Sequence, residues 1–192
     1  DRSSHATRLI AWHNLRLTLL WIYQGSPGMS QGISTTQGFF AWLITKGSVR
    51  VTTPHGSIQA SAGQWLIHPP GSIDRSFSQN AQLLSLHFQA QWPDGSRLFE
   101  LDRPCLVHEN QASAMRDAAL PLLEYVHQHF PDAYLFLPNE SASAENYLRM
   151  QTMLIQWIIA FVDVMQHAGY AIKTMAEIDE RIVRDVRRRR DD

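Results

Sequence analysis

Between Gly28 and Ser78, β-branched and aromatic residues alternate with polar ones in short runs. The runs recur about every eight residues, and a two-residue period punctuated that often predicts a small antiparallel barrel or sandwich rather than parallel α/β units. Gly47, Pro54, Gly56, Gly63 and Gly71 supply the punctuation. Upstream, Leu9 to Tyr23 reads as one or two strands ending in a QGSPG turn. From Ile33 to Phe88 about six short strands are expected. LLSLHFQAQ closes the series, and Trp92-Pro93-Asp94-Gly95 turns the chain, with proline early and glycine late.

The period then changes. From Gln111 to Phe130 the apolar residues Met115, Ala118, Ala119, Leu122, Leu123 and Val126 recur at helical spacing, with Pro121 marking a kink or a division into two helices. A second helix is expected from a Ser141 or Ser143 cap to His167, stopped by Gly169. Its second half, MLIQWIIAFVDVM, is apolar nearly all round, which predicts burial on more than one side. Leu154, Trp157, Ile158, Phe161 and Met165 are therefore assigned both to packing on the barrel and to a homodimer interface. From Thr174 a short amphipathic segment with Ile178, Ile182, Val183 and Val186 runs into four arginines, Arg187 to Arg190.

Composition narrows the class. The 192 residues suffice for one domain or a domain with an appendage, and 44% hydrophobic against 18% charged residues marks a globular chain. A formal net charge of −1 gives no overall attraction to a polyanion. The single Cys105 cannot form an internal disulfide, which favours a reducing compartment and places the protein in the cytoplasm. The apolar runs around Trp157 to Val162 read as too short and interrupted to span a bilayer, so no membrane partner is expected. The chain begins at Asp1, which suggests a trimmed N-terminus.

The glycine and proline spacing resembles the cupin barrel. Gly63, Pro69 and Gly71 match its second motif, with Asp74 where a histidine belongs. Gly28 and Gly47 match the first, with Ser34, Thr36 and Phe40 at the two histidine positions and the glutamate position. All four ligand positions are replaced, and Ser, Thr, Phe and a single Asp do not supply the converging imidazole and carboxylate donors a first-row metal needs, so no metal, no cofactor and no enzymatic activity are expected. Side chains that share parity with the lost ligands point into a small barrel, which nominates Ser34, Thr36, Phe40, Trp42, Ile44, Asp74 and Ser78 as pocket residues. His13 and His87, on predicted strands, are added as lumen donors or acceptors.

WLITKGSVRV, GQWLIHPPG, LLSLHFQAQWPDG, the helix pair and IDERIVRDVR together resemble the sensor half of AraC-type transcriptional regulators. The resemblance implies an α+β fold: an antiparallel cupin-like barrel (a jelly roll) over residues 1–105, a helical dimerisation segment over 106–172, and a connector helix over 173–192. It implies a small-molecule effector, a homodimer, and contact with DNA only through a C-terminal domain that does not follow Arg190 here. The alternatives are a metal-dependent cupin enzyme, an isomerase or dioxygenase, and a stand-alone ligand-binding cupin.

Overall fold

A computed structural model describes residues 12–28, 31–133 and 135–173. Nine antiparallel strands precede two helices: β1 Arg16–Gly25, β2 Gly32–Thr36, β3 Phe39–Lys46, β4 Ser48–Thr53, β5 Gly56–Ser61, β6 Gln64–His68, β7 Gly71–Phe77, β8 Gln82–Gln91, β9 Cys105–His108, α1 Ser113–His129 and α2 Ala144–His167. They form a five-stranded sheet in the order β1-β8-β3-β6-β9 and a four-stranded sheet in the order β2-β7-β4-β5. Eight strands ordered 1-8-3-6 against 2-7-4-5 make a jelly roll, so the fold is α+β of the cupin-like kind.

The turns fall where glycine and proline place them. Gly47 joins β3 to β4 at φ 72°, a left-handed conformation that side chains resist, and an added Cβ would strike the Ser78 hydroxyl. That hydroxyl accepts the Ser48 amide at 2.9 Å, so Ser78 pins a turn rather than lining the lumen. Seven strands, β2 to β8, occupy the span where six were expected, and β9 joins the sheet beyond them by pairing with β6. The 105/106 division thus falls inside β9.

The five-stranded sheet is apolar on both faces, and each face has its own core. Phe39, Ala41, Leu43, Trp65, Ile67, Leu84, Leu86 and Phe88 face the helices, while Trp42, Ile44, Leu66 and Leu83 face the second sheet. Strict alternation along β3, β6 and β8 is the strand period itself. Against the first face, Phe161 stacks on Trp157 at 5.3 Å and meets the edges of Phe88 and Phe99 at 5.2 and 5.4 Å.

Both helices follow their sequence signals. Ser143 caps α2 by accepting the Asn146 amide at 3.1 Å, and Gly169 ends it at φ 92°. Pro121 sits inside one continuous α1. By length and composition α2 could cross a membrane, contrary to the reading of its apolar runs. Leu154, Trp157, Ile158, Phe161 and Met165, nominated for a dimer interface, are buried against the sheet within one chain, leaving almost none of their surface for a partner. The opposite face of α2 is exposed, with Leu148, Ile155 and Ile159 on it, so burial is one-sided.

After α2 the chain returns to the sheet. The Trp92 indole donates to the Lys173 carbonyl at 3.0 Å, and the Lys173 amide donates to the Leu98 carbonyl at 2.8 Å. The expected connector helix from Thr174, with its arginines, lies outside the described residues.

Candidate functional site

The lumen between the sheets is apolar toward one end. Val49, Val51, Ala60 and Ile73 from the four-stranded sheet meet Ile44, Leu66 and Leu83 there. Toward the other end the character changes, because register lines up three rings. Phe40 on β3 is opposite His68 on β6 and opposite His87 on β8, so His68, Phe40 and His87 form a row across the sheet. Cross-strand neighbours on one face are close enough to pack side by side. The His87 ring stacks on Phe40 at 4.1 Å and 20°, and Trp42 tilts against Phe40 at 5.2 Å.

Arg75 reaches this row from the opposite sheet. It pairs in register with the buried Val51, which turns its side chain inward, and its guanidinium carbon lies 6.0 Å from the Phe40 ring centre and 5.9 Å from that of Trp42. A cation over aromatic faces is favourable. Its charge, however, is unanswered: among the described residues no carboxylate pairs with Arg75, and its Nε is buried without a hydrogen-bond partner. Burial lowers its pKa, although a guanidinium remains charged at neutral pH.

Both histidines are neutral at neutral pH. Burial first, and then the Arg75 charge, pushes His87 down to about 4. His68 is likewise lowered to about 4, chiefly by burial, with the Pro69 backbone pulling the other way and Arg75 adding to the decrease. His68 Nδ1 is buried and unpartnered. His87 is held instead: its Nε2 is 2.8 Å from Thr36 Oγ1. That hydroxyl also donates to the Gly38 carbonyl at 3.0 Å and accepts the Gly38 amide at 3.2 Å. With the threonine proton committed to Gly38, His87 donates from Nε2 and leaves Nδ1 as an acceptor. Gly38 must be glycine, because a Cβ there would sit 2.5 Å from the Phe88 carbonyl oxygen and 3.0 Å from His87 Nε2.

The structure thus brings together Thr36, Phe40, Trp42 and His87 from the sequence-nominated set, and Ser34 lies on the facing sheet, two residues before Thr36 on β2 and paired with the buried Ile73. Others are elsewhere. Asp74 neighbours Arg75 on β7 and therefore points outward, where it is exposed; the parity inferred from the lost ligand site was off by one residue. His13 is exposed in the turn before β1, not on a strand. Arg75 was not nominated. Its signal was available, as the residue after Asp74 in a strand with Ile73 and Phe77 at alternate positions.

This donor set does not suit a divalent cation. Phe40 offers no donor, Asp74 faces away, and the two lumen imidazoles flank a guanidinium that repels positive charge. Among the described residues no three His, Cys, Asp or Glu side chains converge. Cys105 is buried on the helix side, where desolvation raises its thiol pKa to about 11 against a Tyr170 hydrogen bond that lowers it. A surface groove of about 690 Å³ between β1 and α1, lined by Gln24, Leu123, Glu124 and His127, is open and lacks a comparable cluster.

No protein-family model and no curated protein matches the chain. Solved structures do align. YhaK from Escherichia coli aligns at 16% identity and a TM-score of 0.31, covering 49% of this chain and 40% of YhaK. YcfD, a ribosomal oxygenase from Escherichia coli in complex with cobalt and succinic acid, aligns at 17% and 0.32, covering 74% and 39%. Unsaturated fatty acid-bound ToxT from Vibrio cholerae aligns at 12% and 0.33, covering 80% and 54%. The chain therefore spans only about 40% to 54% of these proteins' lengths, and identities this low assign no function. One expectation is corrected nonetheless. Catalysis was set aside from sequence, and an oxygenase among the aligned structures removes the ground for excluding it.

Proposed function

We propose that this chain is the small-molecule-sensing and dimerisation module of an AraC-type transcriptional regulator. The observation that carries the reading is the polar row at one end of a mostly apolar sandwich: Thr36, His68, Arg75 and His87 beside Phe40 and Trp42. Unsatisfied polar atoms in a core are destabilising, and a ligand that satisfies them accounts for their presence.

Position along the chain supplies the route of response. His87 sits on β8, and five residues later Trp92 holds Lys173, the last described residue before the segment 174–192. A ligand that shifts β8 shifts that anchor, and with it the direction in which the chain leaves the sheet. Attached DNA-binding domains would be placed accordingly. In this reading the sheets sense, the helices dimerise, the connector transmits, and the protein works in the cytoplasm.

Dimerisation moves to the outward face of α2. Leu148, Thr152, Ile155 and Ile159 follow one another at intervals of four, three and four residues, the seam spacing that pairs helices, so a second copy presents the complementary surface. Sedimentation of wild type and Ile155→Glu tests this; a wild-type monomer refutes the dimer. A thermal-shift screen of small molecules on wild type and Trp42→Ala tests the sensor. Stabilising compounds that act equally on both refute the site.

A further inference from the structure

The lumen carries an excess positive charge. Arg75 contributes a full charge, His68 and His87 are neutral, and the nearest acid in sequence, Asp74, is on the outer face. Among the described residues no hydrogen bond or ion pair engages the Arg75 guanidinium. A half-buried guanidinium whose only protein neighbours are the Phe40 and Trp42 rings keeps its N–H donors free for a ligand. That is the geometry a planar carboxylate meets with two parallel hydrogen bonds.

We propose that the site recognises a monocarboxylate with an apolar body, its carboxylate taken by Arg75 and its body lying against Phe40, Trp42 and Phe77. This rests on the sensor reading and names the effector class. One guanidinium balances one negative charge, so a phosphate dianion is left partly uncompensated in a desolvated site. A neutral polyol leaves the charge of Arg75 unanswered. The His68 Nδ1 and His87 Nδ1 atoms bordering the row add polar contacts without adding charge. The walls beyond it are apolar: Trp42 lies 5.6 Å from Phe77, and Ile73 and Leu66 are buried behind them.

The test is calorimetric titration of the intact chain with benzoate, 2-naphthoate and octanoate, with benzamide and inorganic phosphate as controls. At least one carboxylate is expected to bind, and benzamide and phosphate about ten-fold or more weaker. Arg75→Met is expected to abolish carboxylate binding while its melting temperature stays equal or rises, because no protein hydrogen bond or ion pair is lost and an apolar chain still packs on the Phe40 and Trp42 rings. Arg75→Lys, which keeps the charge and loses the planar fork, is expected to retain weak binding. Should Arg75→Met not fold, the wild-type Arg75 Nε–H resonance reports instead, and it is expected to move on saturation with carboxylate. Equal binding of benzoate and benzamide, or an Arg75 resonance that does not move while carboxylate binds, overturns the inference. Binding of neutral polyols that Trp42→Ala abolishes, with no carboxylate binding, overturns it and leaves the sensor reading standing; no binding of any class defeats both.

Discussion

The two faces of the five-stranded sheet are built from alternate residues of the same strands and serve opposite ends. Toward the helices, Phe39, Leu86 and Phe88 meet Phe161 and Trp157 in an aromatic cluster with no polar side chain that needs an answer beyond two indole N–H groups. Toward the lumen, Phe40 and His87 sit one residue away from those same positions, among an unpaired guanidinium and an unpartnered imidazole nitrogen. The first face stabilises the fold. The second keeps polar atoms without a protein partner, which costs stability, and in the proposed sensor role a bound molecule would satisfy them.

The sharpest break between the faces is truncation on the helix side. Phe161→Ala removes a ring with aromatic contacts on every side and is expected to cost about 3–5 kcal/mol in urea denaturation. A cost under about 1 kcal/mol would mean that the helices are not part of the sheet's core.

Acid comes next and acts through the two lumen histidines. His68 and His87 titrate near 4 in the folded chain against an ordinary 6.5, so between those values the unfolded chain binds more protons. Their neutral forms leave stability intact above pH 6.5, and it drains as pH falls toward 4, by about 1–3 kcal/mol per ring. His87→Gln should flatten part of that slope in melts taken across the window. An unchanged slope in both His68→Gln and His87→Gln removes the rings as its source.

Gly38→Ala probes the line where the faces meet, since the new methyl confronts the Phe88 carbonyl and His87 Nε2 together. Backbone cannot yield cheaply there, and about 1–3 kcal/mol of destabilisation is expected, with loss of the Thr36–His87 bond seen as an altered His87 ring resonance. The smallest effects belong to Arg75→Met and Asp74→Asn. Replacing an unpaired inward cation by an apolar chain should change stability by no more than about 1 kcal/mol, or raise it. The exposed Asp74 change should be silent within about 0.5 kcal/mol and leave ligand binding untouched.

Much of the fold was legible in local pattern. Gly47, Pro54, Gly63 and Gly71 mark turns because left-handed or ring-constrained backbone is a local property, and the helix cap at Ser143 and stop at Gly169 are local too. The site was legible in part. Parity with a family motif nominates Phe40, Trp42 and Thr36, and a predicted strand nominates His87, whereas the same parity points to Asp74 in place of the inward Arg75 and His13 precedes the strand expected to carry it. The apolar stripe of α2 was read as facing a partner as well as the sheet, and the sheet takes all five nominated residues.

What the sequence determined by itself is the existence of two faces on every strand, the places where the chain turns, and the change to helical period after Gln111. Nearest-neighbour chemistry decides these. Which face looks into the lumen, and that His68, Phe40 and His87 stand in one row beneath Arg75, was decided only by the pairing of strands far apart in the chain. When both faces of a strand are apolar, a two-residue period names the alternation and not its sense; register across the sheets supplies the sense, and with it the charge that the lumen holds.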